Sequence, residues 1–238
     1  MMRKTHEKII DEQVKRWEVM RAQKIEKEES LPVITVSREP GSGGRIVAKK
    51  IAEQLGLDLF HGEIIQEIAE SADTSARILE TLDEKGLSVL DDWISTLVNR
   101  RHLWPDQYLK HLMRVIGTIG KHGQAVIVGR GANFILPREA GFRVRIVAPL
   151  DTRVQNVARE FGVSSEEARR RVLRTESERR AFVRKYFNAD ITDPVNYDLV
   201  INTGTLSIDA AVEAITGGLG GRKVCVVDSG ANLKTDFS

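Results

Sequence analysis

Cysteine and long apolar segments are nearly absent from this chain. Its 238 residues include one cysteine, Cys225, which excludes an internal disulfide and fits a reducing compartment. No apolar run approaches the ~18 residues that a membrane-spanning helix needs, and the N-terminal residues are too charged for a secretory signal. We therefore expect a cytoplasmic protein with no membrane partner, in which Cys225 lies in a buried strand.

The chain also lacks a strong charge of either sign and is poor in aromatic residues. Its 36 basic and 34 acidic residues give a formal charge of +2, and aromatic residues make up 5%. Many arginines fall in one segment with few aromatics between them, a pattern that disfavours nucleic-acid binding. The five histidines show no metal-ligand spacing. The length is enough for one domain with a sizeable core and some additions.

Short apolar runs alternate with helical segments along the chain. Five runs lack the alternation of apolar and polar residues that marks a half-exposed strand, so they are predicted to be strands buried on both faces. They lie at residues 33–36, 125–128, 144–148, 197–201 and 223–227. Helical segments are predicted at residues 46–55, 62–99, 106–122, 151–161, 164–187 and 207–215. Segment 62–99 is expected to break near residues 74–75 and 86–88. This order predicts a three-layer α/β/α fold with a mainly parallel five-stranded sheet.

Residues 1–30 form a predicted amphipathic helix outside this pattern, ending near residues 29–30. Its apolar face carries, at helical spacing, Ile10, Val14, Trp17 and Met20. We expect this face to pack on the rest of the chain or on a second copy in a homodimer. The main domain is then predicted at residues 31–227, followed by a polar tail at 228–238.

A glycine-rich loop joins the first strand of the domain to its first helix and reads SREPGSGGR over residues 37–45. Three glycines in four positions let backbone N–H groups turn toward an anion and let phosphate oxygens approach the main chain. The N-terminus of the following helix adds partial positive charge. The strand–loop–helix order favours a phosphate-binding loop over a tight turn with no ligand.

The loop and three further segments resemble the cytidylate kinase-like family, a branch of the P-loop nucleoside monophosphate kinases. The resemblance covers about residues 31–215, and its markers are ITVSREPGSGGR (34–45), VIVGRGAN (126–133), the arginine-rich helix (164–187) and YDLVINT (197–203). It implies a P-loop NTPase-type fold with an arginine-rich helical lid at residues 162–190. It also implies ATP as the donor, a pyrimidine monophosphate such as CMP as the acceptor, and Mg²⁺.

The loop departs from the ordinary pattern G-x-x-x-x-G-K-[ST]. In an ungapped overlay on the family, Gly44 stands at the lysine position and Ile46 at the hydroxyl position. Arg45 is then the nearest cation for the β- and γ-phosphates, and Ser42 is the nearest hydroxyl for Mg²⁺. The predicted phosphate-binding residues are Pro40, Gly41, Ser42, Gly43, Gly44, Arg45 and Ile46.

Three further residues are predicted to bind the acceptor, two of them, Arg130 and Asp190, because the resemblance implies it. Arg130 follows the buried strand 125–128, at the edge where open α/β sheets bind ligands; a loop arginine paired with a carboxylate is the alternative. Asn133 could bind a base or a phosphate, or cap the segment after it. Asp190 could read the acceptor or form a turn ahead of Pro194.

The helix 164–187 contains seven arginines, and helical geometry places Arg174, Arg180 and Arg184 on one face, opposite Val172. Arginines that a closing lid carries to the site would stabilise charge on the transferring phosphoryl group. The resemblance therefore favours these three, together with Arg45, as the catalytic set. A solvated helix with ion pairs at i,i+4 spacing is the alternative.

Two functions of different classes stay open. One is a phosphotransferase that acts on a nucleoside monophosphate or on a different small acceptor. The other is a nucleotide-binding sensor or scaffold with little catalysis, because the loop lysine is missing and Val128 stands where an acidic residue often follows the second strand. Glu39 is the only carboxylate in the loop; we expect it to be an exposed charge, with a metal ligand as the alternative.

Overall fold

The computed structural model of the protein describes residues 2–22 and 33–220. Its strands are β1 (Val33–Arg38), β2 (Asp58–His61), β3 (Ala125–Val128), β4 (Gly141–Val147) and β5 (Leu199–Asn202). They form one parallel sheet in the order β2-β3-β1-β4-β5, which confirms the predicted parallel five-stranded sheet. The fifth member is β2, whereas the predicted strand 223–227, with Cys225 and the tail after it, lies outside the described residues.

Helices cover both faces of the sheet. Those described are α1 (Met2–Ala22), α2 (Gly44–Leu55), α3 (Gly62–Glu70), α4 (Ala72–Leu79), α5 (Glu84–Arg101), α6 (Gln107–His122), α7 (Ala132–Ile135), α8 (Leu150–Phe161), α9 (Ser165–Phe187) and α10 (Ile208–Gly220). Over the two described ranges, no helix is both long and apolar enough to span a membrane.

Segment 62–99 breaks at other residues than those predicted. The hydroxyl of Ser71 accepts a hydrogen bond from an amide in the first turn of α4 at 3.2 Å, and a carboxylate oxygen of Asp83 does the same for α5 at 2.7 Å. Side chains that satisfy these first amides fix where a helix begins. The breaks predicted at residues 74–75 and 86–88 were therefore wrong, because these residues lie inside the helices that Ser71 and Asp83 cap.

The sheet separates two hydrophobic clusters, as a three-layer fold requires. On one side Ile34 of β1 packs with Ile51 of α2 and Ile215 of α10. On the other side Ile127 of β3 packs with Ile116 of α6. Successive side chains of a strand point to opposite faces, so strands buried on both sides need the continuous apolar runs seen in the sequence.

The apolar face of α1 packs on the same chain. Ile10, Val14 and Trp17 are buried, and the ring of Trp17 stacks on the imidazole of His122 with 4.2 Å between centroids. These contacts place α1 against the layer that contains α6. The side chain of Met20 and the predicted end of the helix lie outside the described residues, and the homodimer stays a prediction.

Helix α9 passes along the carboxyl ends of the central strands. Its first half packs on α8 through Ala168, and its last turns bury Val183 and Phe187 in the cluster that α6 shares. The ring of Phe187 lies against Gly131, where a β-carbon would collide with it. Both ends of α9 are thus anchored, and its middle turns face the loop after β1.

Candidate active site

The loop between β1 and α2 needs its glycines for conformation. Gly41 and Gly43 have φ angles of 77° and 73°, in the left-handed region that favours glycine. A β-carbon on Gly41 would also collide with the carbonyl oxygen of Arg153. Two hydroxyls brace the loop, because Ser42 Oγ donates to the Glu39 carbonyl at 2.9 Å and Thr203 Oγ1 donates to the Ser42 carbonyl at 2.7 Å. The loop is therefore held in one shape at the N-terminus of α2.

A cavity of about 530 Å³, here called the loop cavity, lies over this loop. Its volume falls within the range of small-molecule sites, about 300–1,000 Å³. All seven residues predicted to bind phosphate line it. Its other walls include Thr152, Asn156 and Arg159 of α8 and Thr203 and Ser207 after β5. Backbone amides at a helix N-terminus and basic side chains suit this cavity to a phosphorylated ligand.

A second cavity of about 390 Å³, here called the strand cavity, lies at the carboxyl ends of β1 and β3. Arg130 and Asn133 line it, as predicted for acceptor-binding residues, and Glu63 of α3 is there too. Arg130 donates from Nε to the Gly62 carbonyl at 3.1 Å and from Nη2 to the Gln66 amide oxygen. Asn133 is 6% exposed, so its side-chain amide lies in the buried wall of this cavity.

Arg38 and Arg179 lie where the two cavities adjoin, since both residues line both cavities. Arg179 Nη1 donates to the backbone carbonyl of Arg38 at 2.8 Å. Within residues 2–22 and 33–220, Arg38 Nε is buried without an acceptor, and neither guanidinium forms an ion pair with a carboxylate. Arg45, by contrast, is paired with Glu63.

Burial and like charge act together on these two arginines. Burial lowers the pKa of Arg38 well below its ordinary value, and the charges of Arg179, Arg45 and Arg130 lower it further. The pKa of Arg179 is lowered to about 10. Burial is the largest cause, and the positive charges of Arg45 and Arg130 come next. Cations held together with little water are stabilised by an anion between them. The junction of the two cavities is therefore suited to a phosphoryl group.

Glu39 is not the exposed loop charge that the sequence predicted. Its side chain is 14% exposed and lies within 3.7 Å of Arg145 and 3.4 Å of Arg153. One of its oxygens also accepts a hydrogen bond from the Ala148 amide at 3.0 Å. The prediction was wrong because arginines from β4 and α8, distant in sequence, surround this carboxylate. Glu39 ties the loop to the start of α8, and its pairing with two cations disfavours a metal role.

The predicted catalytic arginines do not all meet at the site. Arg45 lines the loop cavity, whereas Arg174, Arg180 and Arg184 are exposed and line neither cavity. Arg174 pairs with Glu178 at 3.9 Å and Arg180 with Glu176 at 2.5 Å, both at i,i+4 spacing. Their catalytic role stays a prediction that requires α9 to move.

Sequence reasoning missed Arg38 and Arg179. Arg179 was overlooked because the polar face of the helix was taken as the functional one. It lies instead on the buried side, seven residues after Val172 and four before Val183, both of which are buried. An arginine at a position where helical spacing predicts an apolar residue was the available signal.

Asp190 lies in a turn rather than in either cavity. Its Oδ1 accepts hydrogen bonds from the amide and the hydroxyl of Thr192, at 2.8 and 2.7 Å. These hydrogen bonds lower its pKa. The turn chemistry that the sequence offered as one alternative is therefore present, while a contact with the acceptor stays a prediction.

Comparison with known proteins gives relatives over most of the chain. The model of the cytidylate kinase-like family matches residues 33–205. A cytidylate kinase of Ignicoccus hospitalis is 29% identical and covers 78% of this chain and 97% of its own. A cytidylate kinase of Pyrococcus horikoshii is 31% identical, covering 74% and 81%.

A solved structure of an uncharacterized protein from Eubacterium ventriosum shares the fold. It is 24% identical, covers 80% of this chain and 99% of its own, and superposes with a TM-score of 0.61. The family match extends from β1, through the loop and most of the residues that line the two cavities, to the residues after β5. By this match the chain belongs to the cytidylate kinase-like family.

Proposed function

We propose that this nucleotide kinase-like phosphotransferase moves the γ-phosphoryl group of ATP to a nucleoside monophosphate, with a pyrimidine nucleotide such as CMP as the acceptor. The observation that carries the proposal is the junction of two cavities at Arg38 and Arg179. A donor in one cavity and an acceptor in the other would present their phosphates to the same two cations. The cytidylate kinases among the relatives support the pyrimidine acceptor.

In this proposal the loop cavity takes the donor. The triphosphate lies on the amides of residues 41–46 and on the N-terminus of α2. Ser42 fits a Mg²⁺ ion, because its hydroxyl donates its proton to the Glu39 carbonyl and keeps lone pairs for a cation. One protein oxygen is enough when phosphate oxygens and water complete the shell. When bound, Mg²⁺ would neutralise charge on the β- and γ-phosphates.

The strand cavity takes the acceptor, with its phosphate beside Arg130 and its polar edges near Asn133. An oxygen of the acceptor phosphate attacks the γ-phosphorus, a new P–O bond forms, and the bond to the β–γ bridging oxygen breaks to release ADP. The acceptor phosphate is ionised at neutral pH, so no general base is needed. Positioning and charge stabilisation supply most of the acceleration.

Arg38 and Arg179 stabilise the charge that spreads over the transferring group. They are already in place, whereas Arg174, Arg180 and Arg184 lie outside both cavities. These three arginines could take their predicted catalytic role only in a closed state, in which α8 and α9 move over the phosphates. Such closure would also exclude water from the transferring group.

A coupled assay with ATP, Mg²⁺ and a panel of nucleoside monophosphates tests the proposal. We expect turnover that is fastest with a pyrimidine monophosphate. The missing lysine at position 44 supports the competing function, a nucleotide sensor. Calorimetry that detects ATP binding, together with no turnover on any acceptor, would favour the sensor and overturn the proposal.

A further inference from the structure

Compared with an ordinary phosphate loop, the loop of this chain has its cation at the first position and a glycine at the last. An ordinary phosphate loop reads G-x-x-x-x-G-K, with glycine first and lysine seventh. Residues 38–44 read R-E-P-G-S-G-G over the same seven positions. Arg38 therefore stands at the position of the first glycine, and Gly44 stands at the position of the lysine.

The structure shows that these two departures depend on each other. A β-carbon on Gly44 would lie 2.5 Å from the β-carbon and 3.2 Å from the γ-carbon of Arg38. The stem of Arg38 thus occupies the space that any side chain at position 44 would need. Any side chain at 44 would meet the β-carbon of residue 38, so the arginine at 38 requires a glycine at 44, and a lysine at 44 requires a glycine at 38.

The charged end of Arg38 reaches the junction of the two cavities. Its guanidinium lies against Gly129, where a β-carbon would collide with Nη1. Over the described ranges, Nε has no acceptor and no carboxylate pairs with the group. A buried guanidinium in this state has hydrogen-bond donors to offer to a phosphate.

We propose that Arg38 replaces the missing loop lysine and binds the terminal phosphates of the donor from the end of β1. The planar guanidinium offers a fork of donors to two phosphate oxygens, whereas lysine acts as a point charge. Arg45, the nearest cation in sequence, is paired with Glu63 instead. This inference rests on the proposed function only for the identity of the ligand as ATP. The guanidinium donors and the loop amides would bind any chain of phosphates.

The test is binding of inorganic tripolyphosphate and of ATP, measured by calorimetry without any acceptor. Arg38→Met removes the charge but keeps an unbranched stem, and we expect affinity for both ligands to fall by about 10- to 100-fold. Arg38→Lys keeps a charge without the fork and should lose less. Arg114→Met, which removes an exposed arginine paired with Asp91, is the matched control and should bind as the unchanged protein does.

The exchange itself is tested by restoring the ordinary order. Gly44→Lys alone should weaken binding, because the new stem meets Arg38. The double variant R38G/G44K should recover affinity to within a few-fold of the starting protein. Circular dichroism confirms that each variant is folded before binding is measured.

Two results would overturn the inference: unchanged affinity in folded Arg38→Met, or a folded double variant that binds no better than Arg38→Met. Neither depends on turnover. An enzyme that binds ATP through Arg38 but phosphorylates no acceptor would overturn the proposed function and leave this inference standing.

Discussion

Arg179 Nη1 donates a hydrogen bond to the backbone carbonyl oxygen of Arg38 at 2.8 Å, and this bond joins α9 to the end of β1. Both residues line the cavity over the loop and the cavity over the next strand. Like charges held together oppose folding unless an anion lies between them. Under the proposed function, the anion is the phosphoryl group that passes between the cavities.

Arg179→Met should impair transfer more than binding. Its charge lies where the phosphoryl group would move, so we expect kcat to fall by about 10²- to 10³-fold, while KM for ATP rises less than about tenfold. Steady-state kinetics with ATP and CMP measure both. Arg174→Met and Arg184→Met, on the exposed face of α9, should reduce kcat less. Equal losses in all three variants would show that α9 acts as a moving lid rather than through Arg179.

Arg38→Met should stabilise the protein without ligand. Burial and the neighbouring arginines lower the pKa of Arg38, so the charged form is less favourable in the folded state than in the unfolded one. Removing it should raise the free energy of unfolding by about 1 kcal/mol, as is common where function opposes stability. Urea unfolding measures the change. A loss of stability would mean that Arg38 has a structural partner.

Binding of tripolyphosphate should weaken at high pH. Burial lowers the pKa of Arg179 to about 10, so the positive charge opposes folding below that pH and is lost as the pH rises through it. The anion needs the charged form, and affinity should decline between about pH 9 and 11. Calorimetry across this range gives the profile, and the decline should be smaller in Arg179→Met. An identical decline in that variant would assign the titration to another group.

Glu39→Gln should destabilise the fold. The substitution leaves the largely buried Arg145 and Arg153 without their shared carboxylate, a loss of about 2 kcal/mol in the free energy of unfolding. Glu53→Gln, which removes an exposed partner of Lys49, should change it by less than about 0.5 kcal/mol. If Glu39→Gln instead leaves stability unchanged and weakens Mg²⁺ binding, Glu39 is a metal ligand.

The sequence was enough to predict the sheet and the loop, because both depend on short-range patterns. Continuous apolar runs identify β1 and β3, and the glycines after β1 identify the loop. β2 was not counted among the five predicted strands because only two of its four residues, Leu59 and Phe60, are apolar, and they lie between the polar Asp58 and His61. Its pairing with β3 depends on the assembled sheet.

The charges at the site were harder to predict, because their roles depend on contacts between distant segments. Glu39 is a loop residue by sequence, yet its partners come from β4 and α8. Arg38 lies in the predicted loop, but Arg45 was chosen as its cation because it is nearer the lysine position. Only the packing against Gly44 and Gly129 shows where the side chain of Arg38 lies.

Single-turnover transfer from ATP that is radiolabelled in its γ-phosphate is the most direct test of the central claim. With CMP and excess enzyme, we expect the label to appear in CDP, and Arg179→Met to slow its appearance by about 100-fold or more at saturating ATP. Label found only in inorganic phosphate, or equal rates for the two proteins, would contradict a transfer site formed by Arg38 and Arg179.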